Sequence, residues 1–94
     1  NILALIKPQF EVGKGLVEKG GVIRNSQVHT NVLYELIKFI TELELFVMAI
    51  SFSPVRGPAG NIEFFILMKY GRSNQKDWSN RVNQVVQNAH LAFS

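Results

Sequence analysis

Cysteine is absent from the 94 residues. That excludes a disulfide framework, a thiol nucleophile and thiolate metal ligation, and leans the expected compartment toward a cytoplasmic one. Charge is also scarce, at 18% charged against 47% hydrophobic residues, so the chain is too apolar for disorder and undercharged for a small domain. The apolar excess predicts a face or edge covered by something outside these residues. Basic residues are scattered rather than clustered; the net charge of +3 permits a polyanionic partner without demanding one. No apolar run approaches the roughly 18 residues that span a bilayer, so nothing supports a membrane role. There is no internal repeat and no low-complexity segment. The length suits one small domain, residues 1–94.

What is present is organised around Leu3-Ala4-Leu5-Ile6-Lys7-Pro8-Gln9-Phe10-Glu11. A short apolar run that stops at a lysine and a proline reads as a strand buried on both faces. Pro8 cannot donate to a ladder and holds Lys7 extended, so the strand ends there. Lys7 then sits at the carboxyl edge of a buried strand, where open α/β sheets bind ligands. The plain alternative is a lysine marking where the strand meets water. Asn1 leads directly into this strand with no cap or turn signal, and the expectation is a piece cut from a longer protein.

Residues 12–21 carry four glycines with Lys14, Glu18 and Lys19 and read as a surface loop. Its lysines and glycines could cradle a phosphate, but the spacing is not that of a P-loop. Asn25 is a candidate N-cap. From Ser26 to about Leu43, Val28, Val32, Leu33, Leu36, Ile37, Ile40 and Leu43 recur at helical spacing opposite Asn31, Glu35, Lys38 and Glu42, an amphipathic helix that covers a sheet. His29 has no partner at ligand spacing and reads as a surface or capping residue. In residues 45–52, Phe46, Met48, Ile50 and Phe52 alternate with Val47, Ala49 and Ser51, the pattern of a second strand. Strand, helix and strand in this order predict parallel strands with a right-handed crossover.

A turn-rich segment, 53–61, leads into Ile62-Glu63-Phe64-Phe65-Ile66-Leu67-Met68-Lys69-Tyr70, the most continuously apolar strand. The short connection favours antiparallel pairing, and apolarity on both sides places this strand in the middle. The expected class is therefore α/β, a βαββα unit with strand order first–third–second and the third antiparallel to its neighbours. A last helix opens somewhere in 73–77 and runs to about Phe93, with Trp78, Val82, Val85, Val86, Ala89 and Phe93 on its apolar side. Trp78 reads as a core anchor, and Asp77 suits the helix dipole with Arg81 four residues on.

This topology brings two anomalies together. Lys7 ends the first strand and Glu63 begins the third, so both reach one edge of the sheet, beside a Gly/Pro loop that carries Arg56 and Asn61. Opposite charges at a ligand-binding edge make a candidate site; an ion pair that merely closes the sheet is the alternative.

Leu5-Ile6-Lys7-Pro8-Gln9-Phe10-Glu11, Lys19-Gly20-Gly21-Val22-Ile23-Arg24-Asn25 and Ser53-Pro54-Val55-Arg56-Gly57-Pro58-Ala59-Gly60-Asn61-Ile62-Glu63-Phe64 resemble, in this order, the C-terminal part of the TlyA family of ribosomal RNA methyltransferases, often labelled hemolysin A. The resemblance implies the C-terminal half of a Rossmann-like, FtsJ-like methyltransferase domain with a three-stranded mixed sheet. It further implies S-adenosylmethionine as cofactor, ribosomal RNA as partner and a ribose 2′-hydroxyl as methyl acceptor. Lys7 is similar in position to the second lysine of that group's Lys-Asp-Lys-Glu tetrad, and Glu63 to its glutamate. Arg56 and Asn61 then fall on the substrate side. The first lysine, the aspartate, the glycine-rich cofactor loop and the S4-type RNA-binding domain would lie upstream, so no cofactor-binding residue is expected here and the fragment alone is expected to be inactive.

The chemistry asks for such residues. Methyl transfer from a sulfonium needs an oxygen nucleophile that loses its proton in line with the methyl group. A lysine can accept that proton or, if charged, stabilise the developing alkoxide. A small non-catalytic α/β module that docks RNA or protein is the competing reading; it calls for clustered basic residues with exposed aromatics, and the sequence shows no such cluster. An uncovered first-strand edge would also expose the isolated fragment to self-association.

Overall fold

The computed structural model describes residues 1–72, with Lys14 by its backbone alone, and 76–94. Three strands and three helices follow in the order β1 (Ile2–Ile6), α1 (Pro8–Glu11), α2 (Ser26–Glu42), β2 (Leu45–Phe52), β3 (Phe64–Tyr70) and α3 (Ser79–Ala92). The sheet order is β1-β3-β2, as the apolarity of β3 implied. Ile2 faces Met68 and Ile6 faces Phe64 on one side, while Leu45 faces Tyr70 and Phe52 faces Phe64 on the other, both ladders antiparallel. The three-stranded sheet is therefore antiparallel throughout rather than mixed, because β1 and β2, which run in the same direction, each pair only with β3.

Helix α2 starts where its capping chemistry dictates: the Asn25 side chain accepts the Gln27 N–H at 2.8 Å, a cap that contributes about 1 kcal/mol. Its apolar stripe and that of α3 cover one face of the sheet. The core joins Val32, Leu33 and Ile40 of α2, Ile50 of β2, Phe64, Ile66 and Met68 of β3, and Val82, Val85, Val86 and Ala89 of α3. Trp78 packs against this core from its margin, with the Lys76 ammonium 4.5 Å from its ring centroid. The other face of the sheet is open, leaving Leu3 64% and Leu5 45% exposed.

Three local expectations change. Proline at the first helical position starts a turn of helix, so Pro8 both ends β1 and opens α1. In β2 a bulge at Met48 shifts the register: Val47 faces Met68 but Ala49 faces Leu67. Val47, Ile50 and Phe52 therefore meet the buried residues of β3, and Met48 is exposed. One extra residue reverses an alternating pattern. The part of the expected start of α3 that falls on residues 73–75 lies outside the described residues; the helix begins at Ser79, whose N–H is accepted by the Asp77 carboxylate at 2.8 Å. Arg81 reaches the Ile50 carbonyl and Gln84 rather than Asp77.

Candidate functional site

Because Ile6 is paired with Phe64, Lys7 and Glu63 are the next residues outward on adjacent strands, and they share one sheet edge. Lys7 is extended (φ −112°, ψ 93°), caps α1 and is half-buried. Its ammonium lies 5.9 Å from the ring centroid of the exposed Phe10. Glu63 is 6% exposed. No direct ion pair joins the two: among the described residues, ion pairs form only between Arg24 and Glu18 and between Arg72 and Glu44.

The Glu63 carboxylate is held instead by Gln9, whose Nε2 donates to Oε2 at 3.2 Å. Gln9 is 8% exposed, and its Oε1 is buried with no hydrogen-bond partner. Gly57 closes on the carboxylate from the loop, and a Cβ there would overlap it. The backbone carbonyl of Glu63 accepts the Ser53 N–H at 2.8 Å, tying the start of β3 to the end of β2. A carboxylate has about four lone-pair sites, so one amide leaves most of its capacity open. Burying such a group without a cation is costly unless something uses it.

The two residues expected on the substrate side differ. Asn61 is 1% exposed; its Oδ1 accepts the Ile23 N–H at 2.9 Å, and its Nδ2 donates to the carbonyls of Gly21 and Pro58 at 2.8 Å. It pins the 12–25 connection onto the 53–61 loop. Arg56 is exposed, donates to the Phe93 carbonyl and stacks 4.7 Å from the Phe93 ring centroid. The loop between them turns through Ala59 (φ 60°) and Gly60 (φ 79°), where a left-handed backbone favours glycine. In the 12–21 loop, a Cβ at Gly13, Gly15, Gly20 or Gly21 would meet nothing within 4 Å, so no close-approach cradle forms around them, and the Lys14 side chain lies outside the described residues.

Below the site, His29 is fully buried, against the expectation of a surface residue. Its Nδ1 lies 2.7 Å from Nε2 of His90 on α3, and its ring meets Phe64 edge-on at 5.5 Å. Burial, reinforced by His90, lowers its pKa from 6.5 to about 4; burial lowers that of His90 too. Sequence spacing does not pair residues on two helices joined through a sheet, so only the fold reveals this contact. Gln9 was visible in the Lys-Pro-Gln-Phe-Glu block, but nothing in a linear pattern ties it to residue 63.

The model of the FtsJ-like methyltransferase family matches residues 1–70. A candidate rRNA methyltransferase of Bacillus subtilis, YqxC, is 37% identical over 91 residues, covering 94% of this chain and 32% of its own length. The 16S/23S rRNA (cytidine-2′-O)-methyltransferase TlyA of Mycobacterium tuberculosis is 38% identical over 69 residues, covering 73% of this chain and 26% of its own. The solved structure of a candidate hemolysin from Streptococcus thermophilus superposes with a TM-score of 0.89 at 36% identity, over 97% of this chain and 33% of that one. The chain thus spans between about a quarter and a third of the length of these relatives. Among the described residues, no helix is long and apolar enough to cross a membrane.

Proposed function

This chain belongs to the FtsJ-like methyltransferase family, and from that premise we propose that it is the C-terminal part of a ribosomal RNA ribose 2′-O-methyltransferase. The observation that carries the reading is the sheet edge itself: Lys7 and the buried Glu63 side by side, with Glu63 held by an amide and, among the described residues, paired to no cation.

In this reading Lys7 acts at the ribose 2′-oxygen, either taking its proton or balancing the charge that forms as the proton leaves. Glu63 sets the field in which Lys7 works. Asn61 acts through the loop it pins rather than by touching RNA, since its donors and acceptor already have partners. Arg56, exposed beside that loop, is the residue free to swing from the Phe93 carbonyl to a phosphate. S-adenosylmethionine, when bound, supplies an electrophilic methyl group. In this reading the glycine-rich cofactor loop would lie outside these residues. The open face of β1 and β3 would then be covered there. A ribosomal substrate places the activity in the cytoplasm.

Single-turnover methylation of ribosomal RNA by the full-length protein, with methyl-labelled cofactor, tests the assignment. Lys7→Ala should lower the rate by about two to four orders of magnitude. RNA affinity should change little, since one cation among many contributes modestly at fixed salt. Near-normal turnover by the variant would make Lys7 a lysine that merely ends a strand.

A further inference from the structure

Lys7 and Glu63 share an edge without an ion pair, and the side chain that meets the Glu63 carboxylate is that of Gln9. It lies two residues beyond Lys7 on the same turn, which is closed by the Phe10 N–H bonding the Lys7 carbonyl at 2.9 Å and begun by the buried Pro8. Gln9 is 8% exposed and its carboxamide half used: Nε2 donates to Glu63 at 3.2 Å, and Oε1 has no partner among the described residues. Buried polar atoms without partners are rare in folded proteins. On its other side the Glu63 carboxylate is confined by Gly57, so the amide sets where the carboxylate can point.

We propose that Gln9 is the positioning residue that couples Lys7 to Glu63: its N–H holds the carboxylate, and its free carbonyl oxygen takes an N–H of the Lys7 ammonium as the ribose enters. The proposal rests on the methyltransferase reading above. A carboxamide fits the task. It donates to an anion and accepts from a cation through one rigid plane, whereas a glutamate would repel Glu63 and a lysine would offer no acceptor. Coupling through Gln9 keeps the ammonium from collapsing onto the carboxylate while the site waits for RNA, and leaves its remaining protons for the reacting oxygen.

The experiment uses the full-length protein in single-turnover methylation of ribosomal RNA, with wild type, Gln9→Met, Glu63→Gln and the double variant, and follows thermal unfolding of each. Gln9→Met keeps the length and removes both polar atoms. It should lower the maximal rate by about 10- to 100-fold, the scale set by misplacing a catalytic group, and leave the half-saturating RNA concentration unchanged. Because Gln9 acts through Glu63, Gln9→Met should cost little more once Glu63→Gln is present, whereas a general packing defect would multiply with it. If Gln9→Met does not fold, Gln9→Asn keeps an amide but withdraws it from Glu63 by one methylene, and the same cycle is read with it. Multiplicative losses, or a wild-type rate in the Gln9 variant, overturn the proposal while the enzyme reading stands. Absence of methyl transfer by the wild-type protein overturns the reading and the proposal together.

Discussion

The two ends of β3 are built from the same kinds of residue and behave in opposite ways. Each has a glutamate, an arginine and a glycine at a turn. At the Tyr70 end, Glu44 (φ 58°) and Arg72 pair in solvent with side chains 64% and 82% exposed, and Gly71 donates to the Glu44 carbonyl at 2.9 Å. At the Phe64 end, Glu63 is buried, Arg56 turns away to Phe93, and Gly57 presses against the carboxylate. Opposite charges meet where water screens them and are kept apart where it does not. An exposed pair contributes little, so the Tyr70 end is a solvated turn. The end where, among the described residues, a buried carboxylate meets no cation is the one proposed above to carry chemistry.

Substitutions should separate the ends in proportion. The largest effect is expected at Asn61. Asn61→Ala orphans the Ile23 N–H and the Gly21 carbonyl at once, while the Pro58 carbonyl keeps the backbone N–H of position 61; at about 1–3 kcal/mol for a buried group left unpaired, a loss of about 2–4 kcal/mol in denaturant unfolding of the full-length protein is expected. Gly57→Ala comes next. Its Cβ must displace the Glu63 carboxylate, at a cost of about 1–3 kcal/mol typical of overpacking, together with a fall in methylation rate. Unchanged stability and rate would mean that the carboxylate is free to move, and the contrast between the ends would collapse.

A third measurement probes what lies beneath the Phe64 end. The folded protein resists protonating His29 until about pH 4, while the unfolded chain accepts that proton near its ordinary 6.5. The contribution is therefore complete above pH 6.5 and is lost progressively as pH falls from 6.5 toward 4, with unfolding taking up at most about one proton for this group. His90, lowered in the same direction, adds to the slope. Thermal unfolding across this range should show the decline in wild type and a flatter profile in His29→Gln. The smallest effect belongs to the other end: Arg72→Ala should change stability by no more than about 0.5 kcal/mol, and a larger loss would erase the distinction.

The elements best read from sequence are those whose signals are local. The Asn25 cap and the apolar stripe place α2 within a residue of its ends, and residues 45–52 form β2 as expected. The apolar run Phe64–Met68 within residues 62–70 marks the central strand, and that position alone brings Lys7 and Glu63 to one edge. What stayed hidden depends on distant partners or on a single inserted residue. Nothing local marks Met48 as the bulge that reverses the faces of β2. The His29–His90 contact spans two helices, and the Gln9–Glu63 bond joins residues 54 apart. Pro8 was read as a strand terminator because the same residue that stops a ladder also begins a helix.

The position of β3 between its neighbours also orders events in time. On the ribosome, β1 is made first, yet its described partner strand is among the last segments of this chain to be synthesised, since Ile2 must wait for Met68. Until then Leu3 and Leu5 lack the ladder to β3, and the β2–β3 hairpin, close in sequence, can form without them. Translation therefore imposes a waiting interval during which a nascent apolar strand must be shielded, and long-range pairing of this kind is the slow step of small α/β domains. Shortening that interval by circular permutation, with β1 following β3, would test whether the delay rather than the finished fold limits the yield of native protein.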